Sequence, residues 1–314
     1  MRSEDLMRRI HAVLVATGVG FSGVNAVEPP QVGERVLFMG DSITAHGGYV
    51  NEIETTWILR EGAERPDWVN LGLGSETVSG LSEPHHPFPR PDAHDRLDAV
   101  LGATEPDVVV ACYGMNDGIY HPPSPERLEA YQRGVGLLIT KVLASGARLF
   151  LLSPPPYAGA VSQAKGPEDG VDFGYKTPYE DYDEVLQEYA AWVTTLDSIP
   201  NVTTIDVRSP VVAHLDACFG RDPIHPNDFG HRLMGEAILT QWGWGDWIAN
   251  DGERDTDRWR ELFGLVRDRR NARDRVWLWE IGHTRPGRRP ATTWEAAQQK
   301  AAEIEAAIVD ASQD

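Results

Sequence analysis

A chain of 314 residues, 41% hydrophobic and 25% charged, has the length and composition of one large globular domain with appendages, which excludes wholesale disorder and fibrous repeats. Its 29 Lys plus Arg stand against 48 Asp plus Glu, a formal net charge of -19. Such a field repels polyanions and anionic membrane surfaces, so nucleic acid is not an expected partner.

The chain opens with a leader-like segment. Met7-Arg8-Arg9 precedes an apolar stretch from Ile10 to Phe21, and Val24-Asn25-Ala26 offers a small residue for cleavage. This is the layout of a secretory signal peptide over residues 1–26, and it predicts a secreted or periplasmic protein; a frayed helix is the plainer alternative. Glu4 and Asp5 break the basic start, which points to Met7 as the first translated residue. No later apolar run approaches the ~20 residues that span a bilayer, so no integral membrane association is expected.

From Arg35 the pattern alternates strand and helix. Short β-rich runs occur at Arg35–Met39, Trp68–Leu71, Asp107–Cys112, Arg148–Ser153 and Val202–Val207, bounded by Gly, Pro or Asp. Helix-period stretches follow at Pro125–Ser145, Tyr179–Ile199 and Phe229–Gln241. Such alternation predicts an α/β fold, a parallel sheet with helices on both faces, over residues 33–245. Tyr157–Thr177, rich in Gly, Pro and charge, reads as a loop that either flanks the substrate cleft or simply covers the surface. Residues 246–314 change character. They carry Trp247, Trp259, Trp277, Trp279 and Trp294 and end in an Ala/Glu/Gln helix, which suggests an extension whose aromatics either anchor it or stack on sugar rings.

Four segments carry chemistry. The first strand ends in Gly40-Asp41-Ser42, and a serine at the carboxyl end of a parallel strand sits at the ligand crevice of an open α/β sheet. A serine hydroxyl needs a base, and the base needs an orienting carboxylate; Asp222-Pro223-Ile224-His225 supplies both after the last strand. Acyl transfer also needs donors for the developing oxyanion, and the third strand runs into Gly114-Met115-Asn116-Asp117, where Asn116 brings a side-chain amide to the crevice. Asn70-Leu71-Gly72-Leu73-Gly74-Ser75-Glu76-Thr77, after the second strand, can add a backbone N–H. Each piece alone is also an ordinary turn.

Together, over roughly Arg35–Gly245, these segments resemble the GDSL/SGNH hydrolase family in order and in placement. The resemblance implies a three-layer α/β/α sandwich with a flavodoxin-like parallel sheet, in which Ser42 is nucleophile and oxyanion donor, Asn116 a second donor, His225 the base and Asp222 its partner. One position departs from the family pattern: the usual oxyanion glycine falls on Ser75, with Gly74 one residue earlier, so the third donor is either of the two. Asp41 and Asp117, inside the same motifs, are candidate substrate contacts.

No tetrahedral metal set and no Gly-rich phosphate motif is apparent, and His85, His86 and His94 in their Pro-rich stretch read as a loop near the site; neither metal nor cofactor is expected. Cys112 and Cys218 each lie near a site segment, so they are either a disulfide in an oxidising compartment or two buried thiols. The expected activity is a serine esterase or acylhydrolase acting on a small-molecule or oligosaccharide ester, foremost a carbohydrate acetyl esterase. A lipolytic esterase on glycerides or aryl esters, and an inactive carbohydrate-binding protein of the same fold, are the alternatives.

Overall fold

A computed structural model of the protein describes residues 28–162, 172–250, 252 and 254–313; the expected export leader, 1–26, lies outside the described residues. Five strands form one parallel sheet: β1 (Arg35–Gly40), β2 (Asp67–Asn70), β3 (Val108–Cys112), β4 (Arg148–Leu152) and β5 (Val202–Ile205), in the order β2-β1-β3-β4-β5. All five expected strands are present. β1 and β3 lie centrally and are apolar on both faces, as a doubly covered sheet requires.

The principal helices are α1 (Ser42–His46), α2 (Gly48–Glu61), α3 (Leu97–Thr104), α4 (Pro125–Ala144), α5 (Tyr182–Val193), α6 (Asp228–Leu239), α7 (Asp257–Ile281) and α8 (Trp294–Gln313). Right-handed crossovers put α2 on one face, because β1 to β2 steps outward in one direction, and α3, α4 and α5 on the other. α6 then packs on α2 to complete the first layer. The α/β/α sandwich with a flavodoxin-like strand order follows.

α4, α5 and α6 match their apolar periodicity closely. α2 and α7 do not show in the sequence, for a shared reason. In α2 every residue from Gly48 to Ile58 is buried, including Glu52 and Glu54, so no polar stripe marks a solvent face. In α7 the buried stripe runs Leu262, Val266, Arg269, Arg270, Asp274, Leu278, with charged residues at the core-facing positions. Arg269 donates to Glu54 at 2.7 Å and Arg270 to Asn51 at 2.9 Å, so polar side chains of one helix meet the buried cations of the other.

β2 is an edge strand, and α7 covers it. Arg273 donates to the Trp68 carbonyl at 2.6 Å and to Asp67 at 2.7 Å, while Asp274 accepts from the Asn70 amide at 2.8 Å. These bonds occupy backbone groups that would otherwise invite another strand. α7 in turn packs along α8, with Trp277 and Trp294 rings 5.2 Å apart. Those two tryptophans serve packing.

Cys112 and Cys218 are both free and both buried. Cys112 ends β3 in the sheet core, whereas Cys218 packs near Gly230 at the start of α6. Among the described residues no helix is long and apolar enough to cross a membrane, and no group of three or more His, Cys, Asp or Glu is placed to hold a metal. His85, His86 and His94 instead face Asp172, the Phe88 carbonyl and the Gly134 carbonyl.

Candidate active site

Parallel pairing brings the carboxyl ends of neighbouring strands level. Gly40 pairs with Cys112 and Phe38 with Asn70, so the loops after β1, β2 and β3 leave the sheet side by side. Ser42 is the first residue of α1, and Asp41 caps that helix by accepting from the Ile43 amide at 2.9 Å. As the first helical residue, Ser42 has no intrahelical acceptor for its own N–H. Gly40 is obligatory here, because a Cβ would lie 2.5 Å from the Cys112 carbonyl oxygen and 2.2 Å from Thr44 Oγ1.

His225 reaches Ser42 from the loop before α6. The Ser42 hydroxyl and His225 Nε2 are 2.8 Å apart, and His225 Nδ1 stands 2.7 Å from Asp222 Oδ2. Asp222 also accepts from the amides of Ile224 at 2.8 Å and His225 at 3.2 Å, which fixes the turn. Asn227 caps α6 by accepting from Gly230, and the Ala158 amide donates to Pro223 at 2.9 Å. The start of the Tyr157–Thr177 loop thus braces the Asp222–His225 turn. Burial raises the Asp222 carboxyl, but the hydrogen bonds from His225 and the Ile224 amide outweigh it and bring the group to about 2. His225 is raised above the ordinary imidazole value by the hydrogen bond to Asp222, with burial opposing. The side chains remain open to solvent, 41% for His225 and 56% for Asp222.

Asn116 is buried in the loop that follows β3. Its Oδ1 accepts from the Tyr120 hydroxyl at 3.0 Å and its Nδ2 donates one hydrogen to the Glu76 carbonyl at 3.1 Å, leaving the second hydrogen available. The segment Leu73–Glu76 is a tight turn closed by a hydrogen bond from the Glu76 amide to the Leu73 carbonyl at 3.2 Å. Gly74 and Ser75 are its central residues, and among the described hydrogen bonds neither amide has an acceptor. Ser75 has φ +68°, the left-handed conformation that glycine tolerates best, so its side chain costs about 1 kcal/mol of strain there. Arg90 donates to the Ser75 carbonyl at 3.3 Å and holds the turn from outside.

The two candidate substrate contacts, Asp41 and Asp117, are both buried. Asp41 is 2% exposed and committed to capping α1, and burial pushes its carboxyl up to about 7. Asp117 is fully buried and accepts from the amides of Val78 and Ser79 at 2.9 and 2.8 Å; burial raises it to about 6 against those donors. Both carboxylates accept from backbone amides and so help to hold the loops after β1 and β2.

The sequence does not single out the group beneath the turn. Glu76, with no exposed surface, receives Arg96 Nε at 2.6 Å, a second Arg96 nitrogen at 2.7 Å and the Tyr113 hydroxyl at 2.7 Å. Arg96 also donates to the Leu71 carbonyl at 2.8 Å. This network ties the loops after β2 and β3 to each other. The only signal in the sequence is a lone acid beside Ser75, since its arginine lies 20 residues on.

The sequence matches the model of the GDSL-like lipase/acylhydrolase family over residues 38–233. The chain belongs to that family. The GDSL-like segment spans all five strand ends described above, and the protein is a carboxylic ester hydrolase. Among solved structures, a gut microbial diltiazem-metabolizing enzyme is similar with TM-score 0.52 and 21% identity, over 71% of this chain and 49% of that one. Two structures of Axe2, an acetylxylan esterase from Geobacillus stearothermophilus, have TM-score 0.51, with 21% and 22% identity over 68% and 67% of this chain and 96% and 95% of theirs. These likenesses concern the fold. No curated protein sequence matches the chain.

Proposed function

We propose that this GDSL-family hydrolase is a serine esterase that removes short acyl groups, foremost acetyl, from carbohydrate esters. The observation that carries the catalytic part is the chain Ser42 Oγ to His225 Nε2 to Asp222, with contacts of 2.8 and 2.7 Å. Ser42 attacks the ester carbonyl carbon as its proton passes to His225 Nε2, and the resulting oxyanion takes hydrogen bonds from the Ser42 amide, the free Asn116 Nδ2 hydrogen and a turn amide. That last donor is the amide of Gly74 or of Ser75, neither of which has an acceptor among the described hydrogen bonds. His225 then protonates the departing alcohol, leaving an acyl group on Ser42. Water, deprotonated by the same imidazole, attacks the acyl-enzyme and releases the carboxylic acid with Ser42 restored.

Carbohydrate as the alcohol is supported by the openness of His225 and Asp222, which admits a bulky hydrophilic group, and by the polar residues near the Gly74 turn, among them Arg285 and His283. An exported setting belongs to the same proposal and rests on the leader-like sequence. A lipolytic enzyme would need an apolar acyl channel beside Ser42, and an inactive binding protein would have no use for a hydrogen-bonded Ser42–His225 pair.

The test is a series of p-nitrophenyl esters from acetate to decanoate, followed by acetylated oligosaccharides. The proposal expects kcat/KM to fall steeply beyond short acyl chains and acetate to be released from the oligosaccharides. Preference for long chains would overturn it in favour of the lipolytic reading.

A further inference from the structure

α7 and the segment after it bring a group of arginines to the oxyanion turn. A cavity of about 300 Å³ is bordered by Gly74 and by Arg270, Arg275, Arg285 and Arg288, with Trp279 on one wall. A Cβ on Gly74 would meet the Arg285 guanidinium, its Nε 3.4 Å away. In a chain of net charge -19 most arginines find a carboxylate, yet none of these four makes an ion pair among the described residues. Arg270 is held by Asn51 and the His46 carbonyl, and the cationic face of Arg285 lies over Phe88 with its buried Nε lacking an acceptor. The one carboxylate in the lining, Asp274, is committed to Arg273 and to the Asn70 amide. Four guanidinium groups around one cavity favour a negatively charged occupant, and guanidinium groups are matched to planar or tetrahedral oxyanions.

We propose that this cavity is a subsite for a negatively charged group, a carboxylate or a phosphate, on the alcohol portion of the substrate, so that the enzyme selects esters of acidic sugars. The inference rests on the sugar-ester reading of the same site. Arg285 and Arg288 are the positioning residues: they hold the anion while the ester lies over Ser42, and they touch neither Ser42 nor His225 in any described contact.

The experiment compares kcat/KM for O-acetylated methyl glucoside, methyl glucuronide and methyl glucoside 6-phosphate, which differ only in the anion, with p-nitrophenyl acetate as a control for the serine chemistry. The wild-type protein is expected to prefer at least one anionic sugar over the neutral one by roughly tenfold, the scale of a charge-assisted hydrogen bond. Which of the two is preferred identifies the group as carboxylate or phosphate. In Arg285→Gln and in Arg288→Gln, each confirmed as folded by circular dichroism, that preference should shrink toward one. Equal rates on all three sugars, or a preference that survives in both variants, would overturn the subsite while leaving the esterase reading intact. Cleavage of p-nitrophenyl acetate with no turnover of any sugar would overturn both the sugar-ester reading and the subsite; no cleavage of any ester would strike at the serine mechanism itself.

Discussion

Replacing Arg96 by methionine tests whether the buried network under the oxyanion turn holds the site in shape. Glu76 is fully buried and receives three donors, two of them from Arg96, at 2.6 and 2.7 Å. Removing the arginine leaves a desolvated carboxylate with only the Tyr113 hydroxyl, and breaking a buried pair from one side typically costs about 3–5 kcal/mol. Against a total stability of roughly 5–15 kcal/mol this is a large fraction. With a urea m-value of about 3 kcal/mol/M, the midpoint of unfolding should fall by about 1 M or more. The same change should lower kcat, because the Glu76 carbonyl accepts from Asn116 Nδ2 and moves with its side chain. Replacing both partners, Glu76→Gln with Arg96→Met, should cost less than Arg96→Met alone, since the uncompensated charge is gone. A midpoint shift corresponding to less than about 1 kcal/mol for Arg96→Met, or a double variant as unstable as the single one, would show that the Glu76–Arg96 pair does not hold the turn.

The site chemistry gives further expectations. Asn116→Ala should lower kcat by about 10²–10³ with a smaller change in KM, because the lost donor acts in the transition state; an unchanged kcat would remove Asn116 from the oxyanion hole. The acid limb of kcat/KM should lie above the ordinary histidine value of about 6.5, since the hydrogen bond to Asp222 favours the protonated, inactive imidazolium and activity is lost as pH falls through that raised value. In Asp222→Asn the limb should move to lower pH while the pH-independent rate drops, and a limb that stays in place would separate Asp222 from His225. Ser75→Gly should keep the turn amide and relieve the left-handed strain, so activity is retained and stability stays level or rises by up to about 1 kcal/mol in urea unfolding; a clear loss of either would give the Ser75 hydroxyl a role.

The reach of the sequence follows from what each residue depends on. Strands β1 and β3 are buried on both faces and read as unbroken apolar runs, and Ser42, Asn116 and the Asp222–His225 pair announce themselves by falling at or after strand ends. Motif membership does not show that Asp41 and Asp117 are buried and accept from backbone amides, because that depends on how the loops fold. α2 and α7 escape notice because they bury charge against charge: Glu54 is met by Arg65 from 11 residues away and by Arg269 from 215 away. A helix whose core-facing stripe holds Arg269, Arg270 and Asp274 gives no apolar period to find. For the same reason residues 246–314 read as an extension, although α7 covers the edge strand β2 and brings Arg285 to Gly74. Long-range pairing of charged groups is a tertiary fact, and a single sequence carries no pattern for it.

The central claim is that Ser42 is acylated during turnover. It is tested most directly by rapidly quenching the protein during hydrolysis of p-nitrophenyl acetate and mapping the acetylated residue by peptide mass spectrometry, alongside Ser42→Ala. A mass gain of roughly 42 units confined to the peptide containing Ser42, one acetyl group in place of a hydroxyl hydrogen, is expected, with no turnover in the alanine variant. Acetylation at another residue, or undiminished hydrolysis by Ser42→Ala, would contradict it.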